Sequence, residues 1–345
     1  MGIALQTMTN ELTHVFLLSV GAFLLAMFLT PIYTFFAYRY RFWKRQRSES
    51  TDGKKLKVFA KFQAAKLRRN IPTMAGVIGV ISIFVVTIFF NLDRAQTWLP
   101  LAALVGGGIV GLIDDIINLR GLGGGAAGLR SPVKFALITL IGVVLGWFFF
   151  VKLGVASFHV PFVGEVNIGW LIIPLFAFAV VATGNAVNIS DGMDGLAGGL
   201  LGISFGAFGV IALLQQHVIL AGFCFTVVGV LLSYLWFNIY PARFFMGDVG
   251  SFAYGACLGV VAMLTDSLLL LPVIGLLFVI EAGSSLTQIV SKKLFKRKIF
   301  LSAPIHHHLE AIGWPETKVT MRFWVIGCVM AFIGVMLALA GGHIA

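Results

Sequence analysis

Trp98-Leu-Pro-Leu-Ala-Ala-Leu-Val-Gly-Gly-Gly-Ile-Val-Gly-Leu-Ile-Asp114-Asp115-Ile-Ile-Asn118 decides the fold. From Trp98 to Ile113 the run carries no charge, and two carboxylates then stand together among Leu112, Ile113, Ile116 and Ile117. An apolar stretch near 98–116 is about as long as a bilayer's hydrocarbon core is thick, so it reads as a membrane span with an acidic pair at one end. The rest of the chain repeats the pattern. Of 345 residues, 59% are hydrophobic and only 11% charged, and the mean hydropathy is +0.97. A water-soluble domain needs far more polar surface, so most of the chain is expected to face lipid. Backbone in hydrocarbon must satisfy its own hydrogen bonds, and strand alternation at barrel spacing is absent. The expected fold is therefore all-α: one polytopic integral membrane domain over 1–345 with about ten transmembrane helices.

Hydropathy places the spans near 14–37, 72–91, 98–116, 132–152, 168–188, 194–213, 217–238, 249–264, 269–290 and 321–342. The first is too long for a cleavable signal core and has no positive residue ahead of it, so it reads as a retained span. With loops on alternate sides, 23 of the 25 Lys and Arg residues fall on one side, mostly in the basic loop 38–71 and the histidine-containing loop 291–320. The other side keeps Arg94 and Lys152. By the positive-inside rule the rich side is cytoplasmic and both termini lie outside. The net charge of +11 then suits contact with anionic headgroups, and nucleic acid is not an expected partner. Cys224, Cys257 and Cys328 lie in apolar runs without C-x-x-C spacing, so neither a disulfide framework nor a zinc cluster is expected.

That assignment used no acidic residue or histidine, yet it sends four polar clusters to the cytoplasmic side and none to the other. Asp114-Asp115 is the first. A carboxylate costs about 2.5–3.5 kcal/mol at the centre of a membrane helix, and adjacent carboxylates repel unless a cation intervenes. The pair either ends its helix or serves metal or proton chemistry, and its apolar neighbours favour the chemistry. The second is Asn185-Ala-Val-Asn188-Ile-Ser-Asp191-Gly192-Met-Asp194-Gly. Asn185, Asn188 and Asp191 recur at helix spacing. Either Asp could cap the next helix, but a cap explains one of them and not the whole run, whose oxygen ligands suit a hard cation or a nucleotide.

Phe244-Phe245-Met246-Gly247-Asp248-Val-Gly250-Ser251 is the third cluster. Asp248 is placed to be a helix N-cap or a ligand, and Phe245 to stack on a base or pack on lipid. The fourth, Pro304-Ile-His306-His307-His308-Leu-Glu310, follows a basic stretch. Three consecutive histidines cannot all face one point on a helix, so they do not make a closed zinc site by themselves. Imidazoles beside phosphate can donate hydrogen bonds or carry protons. The glycine run 121–128 lacks the Gly-Lys-Ser/Thr of a P-loop and reads as a connection.

Together, Gly-Leu-Ile-Asp-Asp, Asn-Ala-Val-Asn-Ile-Ser-Asp-Gly-Met-Asp-Gly-Leu-Ala, Phe-Met-Gly-Asp-Val-Gly-Ser and Ala-Pro-Ile-His-His-His-Leu-Glu resemble the phospho-N-acetylmuramoyl-pentapeptide-transferases. These belong to the polyprenyl-phosphate N-acetylhexosamine-1-phosphate transferases. The likeness runs from about Pro72 to the C-terminus and takes in Ile71-Pro-Thr73-Met-Ala-Gly76 and Gly313-Trp-Pro-Glu316. It implies ten membrane helices, a cytoplasmic active site and Mg²⁺ dependence. The implied reaction moves phospho-MurNAc-pentapeptide from its UDP carrier to undecaprenyl phosphate, giving lipid I and UMP for peptidoglycan synthesis. By position, Asp114, Asp115, Asp248, His307 and His308 match catalytic residues, with Asp248 matching the magnesium ligand. Arg68, Thr73, Lys134, Asn185, Asn188, Asp191, Gly192, Asp194, Phe245 and His306 fall on the substrate-binding side. Arg68 stands where the family usually carries Lys, Ala65 where it carries His, and Ile138 where it carries Gln, and segment 39–70 is not family-like.

Transfer between two anions is chiefly a problem of charge. Asp248 with Asp115 is expected to hold Mg²⁺, Asp114 to take a proton from the lipid phosphate, and His307 and His308 to steady the diphosphate. Two rivals stand beside this expectation. A GlcNAc-1-phosphate transferase would keep the chemistry and change the sugar. An ion-coupled transporter would place its carboxylates mid-membrane or on both sides. Membrane lipids are expected neighbours, and a homodimer is left open.

Overall fold

The computed structural model describes residues 2–43, 70–121 and 128–342. Arg68 and Ala65 lie outside the described residues, as does most of the basic loop. The elements in chain order are α1 (Gly2–Arg39), α2 (Gly76–Phe90), α3 (Trp98–Arg120), α4 (Ser131–Leu153), β1 (Ser157–Val160), β2 (Gly164–Asn167), α5 (Ile172–Ser190), α6 (Leu196–Leu214), α7 (Val218–Asn238), α8 (Gly247–Leu264), α9 (Leu271–Ile274), α10 (Leu276–Phe295), α11 (Ile305–Ala311) and α12 (Glu316–Ala340).

Every predicted span meets a helix. Among the described residues, eight helices are long and apolar enough to cross a membrane. Large apolar side chains cover the outside: Phe89, Trp236 and Phe332 are each more than 70% exposed. So much exposed aromatic surface fits lipid rather than water.

Two spans differ from the hydropathy reading. The one near 269–290 is not continuous: Leu268–Ile274 and Leu276–Phe295 meet at 81°, with Pro272 in the first turn of α9 and Gly275 at the corner. Counted as one span, the pair makes nine. The span near 72–91 begins late, since α2 has only 15 residues, roughly 22 Å of helix. The residues ahead of it are extended and bond to the approach to α8: Phe245 N–H donates to Pro72 O (2.8 Å), Ala75 N–H to Phe245 O (3.0 Å) and Gly76 N–H to Met246 O (2.9 Å). Thr73 is thereby drawn to the start of α8.

A short hairpin was not foreseen. β1 and β2 pair antiparallel, from Ser157↔Asn167 to Val160↔Gly164. Four residues per strand are too few for alternation to register.

Helix α8 is the axis of the bundle. All but its last residue are buried, and it packs on α2, α3 and α5. Lipid offers helices no hydrophobic drive to associate, so close backbone approach through small residues takes that role. At Gly111 of α3, a Cβ would stand 2.1 Å from the Asp248 carbonyl oxygen. Only glycine lets α3 and α8 meet there, beside the acidic pair.

Candidate active site

Asp114 and Asp115 lie less than two turns before the end of α3, and Asp248 is the second residue of α8. Asp248 is not the N-cap, a position taken by Met246. Gly247 has φ +76°, and a Cβ on it would fall 2.5 Å from Asp115 Oδ2. This glycine turns the chain so that α8 begins against the α3 carboxylates. Asp115 Oδ2 accepts the Val249 N–H at 3.1 Å, a favourable place for negative charge at a helix N-terminus. Asp114 Oδ1 accepts the Leu129 N–H at 2.7 Å.

Lys134, in the first turn of α4, joins the helices. Its Nζ is 3.0 Å from Asp114 Oδ1 and 2.7 Å from Asp248 Oδ2, with the Phe252 ring 5.2 Å away. One oxygen from each of Asp114, Asp115 and Asp248 lies within 4.8 Å of the others, and all three residues are buried. At an effective dielectric of ~20, like charges ~4 Å apart cost about 4 kcal/mol. Three carboxylates against one ammonium leave two negative charges when all are ionised. A donor set of oxygens alone with that residual charge matches a hard divalent cation.

The Asn/Asp turn divides its labour. Asn188 Nδ2 donates to Ser251 Oγ at 2.9 Å, one turn along α8 from Asp248. The end of α5 therefore lies at the same end of the bundle as the triad. Asn185 instead bonds back to Val181 O at 2.8 Å within its own helix. The helical stripe stops short of Asp191, which leaves the helix as its C-cap.

Asp194 caps no helix; the residue before α6 is Gly195. Its Oδ2 accepts the Ala242 N–H at 3.0 Å, its own N–H donates to Glu316 Oε1 at 2.6 Å, and its carbonyl accepts from Thr320 Oγ1 at 3.2 Å. Next to it, Asn238 receives the Gly195 N–H and donates to Phe244 O, both at 2.9 Å. Asp194 thus ties the loop leading to Asp248 to the start of α12. Asp194→Ala leaves the buried Ala242 N–H without its acceptor, and is expected to cost roughly 1–3 kcal/mol. A lowered thermal midpoint of the purified protein in detergent checks this, and an unchanged midpoint contradicts it.

The three histidines take three partners, as their adjacency requires. His306 Nδ1 lies 2.7 Å from Glu281 Oε2, both side chains wholly buried. Its other face abuts Gly192, where a Cβ would meet Nε2 at 2.4 Å. This contact brings α11 to the Asn/Asp turn. His307 Nδ1 is 3.1 Å from Glu310 Oε2, and His308 Nδ1 accepts the Leu301 N–H at 3.3 Å. Thr73 is buried beside Gly247, and the Tyr33 hydroxyl donates to its carbonyl. Phe245 is half-buried, held through its backbone to Pro72 and Ala75.

Glu281 went unremarked in the sequence, although a lone carboxylate inside an apolar run asks for a partner. That partner is 25 residues away, so no local pattern names it. The expectation that polar clusters lie on one side only also needs correction. His159, Glu165 and Asp266 gather at the other end of α8.

Known proteins resemble this chain along nearly its whole length. The family model described as glycosyl transferase family 4 matches residues 97–266, from just ahead of the acidic pair through Asp248. A phospho-N-acetylmuramoyl-pentapeptide-transferase of Chloroflexus aggregans is 38% identical over 99% of this chain and 94% of its own. One of Geobacillus thermodenitrificans is 36% identical over 91% of this chain and 94% of its own. One of Oceanobacillus iheyensis is 35% identical over 94% and 98%. With three helices delivering carboxylates and an ammonium to one point, and relatives matching nearly end to end, the chain belongs to the phospho-N-acetylmuramoyl-pentapeptide-transferase family.

Proposed function

We propose that this chain transfers phospho-MurNAc-pentapeptide from its UDP carrier to undecaprenyl phosphate, releasing UMP and forming lipid I, where α3, α4 and α8 meet. The observation that carries this is the meeting of Asp114, Asp115 and Asp248 within 4.8 Å of one another, with Lys134 Nζ on Asp114 and Asp248, at one polar end of a lipid-facing bundle. Asp248 and Asp115 would hold Mg²⁺, and Asp114 completes the buried oxygen set. When bound, the ion supplies positive charge that offsets repulsion between the two phosphates.

The chain's own groups do the rest. Lys134 adds a fixed positive charge between Asp114 and Asp248. Asp114 accepts a proton from the lipid phosphate, leaving a phosphate oxygen to attack the sugar-linked phosphorus. Asn188, Asp191 and Gly192 form the nucleoside side with Phe245, and Asn185 and Thr73 border it; the sequence likeness adds Arg68 to the substrate-binding residues. Asp194 holds that turn in place from behind. His307 and His308 steady the diphosphate while Glu281 orients His306 against Gly192.

The side of the membrane follows from charge. The histidine-containing basic loop reaches the Asn/Asp turn through His306, and the positive-inside reading of the sequence puts that end on the cytoplasmic face of a bacterial inner membrane with both termini outside. The whole chain acts as one integral domain.

The test is release of UMP by the purified chain with undecaprenyl phosphate. Release is expected from UDP-MurNAc-pentapeptide, to stop on chelation and to return with Mg²⁺. UDP-GlcNAc is expected to be used at least ~100-fold less well, since a missing polar substituent leaves buried groups unpaired. Equal use of UDP-GlcNAc, or release indifferent to chelation, refutes the proposal.

A further inference from the structure

The second cluster lies where nothing in the transferase reaction needs it. Asp248 opens α8 and Asp266 follows its end, so 18 residues of helix, about 27 Å, separate the two sites. Two distant pieces of chain meet here, since His159 and Glu165 are cross-strand partners in one hairpin and Asp266 lies far along the chain. His159 comes from β1, Glu165 from β2, and Asp266 from the corner between α8 and α9.

Each piece is aimed. Asp266 adopts φ +51°, uncommon outside glycine, and its Oδ1 accepts the His159 N–H at 2.9 Å. His159 is nine-tenths buried, and its Nε2 lies 2.8 Å from the Gly341 carbonyl. A carbonyl only accepts, so Nε2 carries the proton. In the neutral ring Nδ1 then presents its lone pair, and Nδ1 faces Glu165 Oε1 at 3.5 Å. The Glu165 and Asp266 carboxylates also reach each other within hydrogen-bonding range. Burial first, and then the Glu165 carboxylate, push Asp266 up to about 7, whereas the Ser157 hydroxyl draws Glu165 down. With all three groups deprotonated, a nitrogen lone pair and two carboxylates turned toward one point repel each other, and a cation among them removes that repulsion.

We propose that His159 Nδ1, Glu165 and Asp266 form a binding site for a divalent transition metal of the zinc class at the end of the bundle opposite the active site. One atom from each residue lies within 4.8 Å of the others. Imidazole plus two carboxylates is a three-ligand set for zinc with a fourth position left for water, whereas magnesium and calcium favour oxygen alone. The Nε2–H···O=C bond to Gly341 is the outer hydrogen bond that usually fixes a metal-ligating histidine. Bound metal would clamp the hairpin to the α8–α9 corner and, through Gly341, to the end of α12.

The full-length protein in detergent, with excess Mg²⁺ throughout, is titrated with Zn²⁺ by calorimetry and assayed for bound zinc after dialysis. Wild type is expected to hold one zinc per chain more than His159→Ala and to melt at a higher temperature with zinc present. Solvent-exposed Glu165→Gln, which keeps the fold should His159→Ala lose it, is expected to weaken zinc binding at least tenfold. The histidines of α11 are common to all three proteins, so the difference belongs to this site. UMP release is expected to be the same in all three. Equal zinc binding by wild type and both variants overturns the proposal, as does Ca²⁺ binding at this site as tightly as Zn²⁺.

Discussion

Asp248→Asn is expected to lower the rate of UMP release by about 10²–10³-fold, the range seen when one preorganised electrostatic contact is removed from an active site. The substitution keeps the shape of the side chain and the first turn of α8. What it removes is the charge that Lys134 Nζ meets at 2.7 Å and one of three carboxylates within a common 4.8 Å. Lys134 retains Asp114 at 3.0 Å, so the ammonium is not stranded and the protein is expected to fold. A Mg²⁺ titration of the variant separates the two losses. Weaker ion binding raises the concentration needed for half-maximal rate, and misplacement of Lys134 lowers the rate at saturation. A variant with the wild-type rate and the wild-type Mg²⁺ dependence would remove Asp248 from the site.

Gly111→Ala is expected to do comparable damage without touching a charge. Its Cβ would meet the Asp248 carbonyl oxygen at 2.1 Å, the carbonyl carbon at 2.3 Å and Val249 N at 2.5 Å. All three are backbone atoms, so no side chain can turn aside and α8 must move off α3. Overpacking of this kind costs typically 1–3 kcal/mol and occasionally more. The displaced peptide is Asp248's own, and a misplacement of ~1 Å can cost ~100-fold in rate. Activity should therefore fall further than the thermal midpoint. Gly108→Ala, one turn earlier on α3, is the control: its nearest neighbour is Val80 Cγ2 at 3.4 Å, an ordinary contact. If the two variants behave alike, close approach at Gly111 is not what sets the triad.

Asp114, Asp115 and Asp248 were visible before any coordinates because charge inside an apolar chain is costly and stands out against its background. Lys134 stood out through the family likeness. Asp194 and Asn185 show the limit of that kind of reading. Both sit in a polar run that suits a ligand, yet one bonds the Ala242 backbone and the other its own helix. Residue type and spacing do not say which polar group is spent on the chain itself.

The amino-acid order alone determined a lipid-embedded helical chain, the approximate positions of its spans, the stretches in which positive charge collects and the four polar motifs that mark the family. Those are properties of local composition, and the bilayer reads them one segment at a time. Only the tertiary structure decided that α3 and α8 touch through Gly111, that the span beginning near 269 turns by 81° at Gly275, that Glu281 meets His306, and that His159, Glu165 and Asp266 share a point at the far end of α8. Each depends on which helix faces which across many residues of intervening chain. Hydropathy holds no record of that, because lipid solvates every apolar face alike and only close packing of small residues and pairing of buried polar groups selects among them.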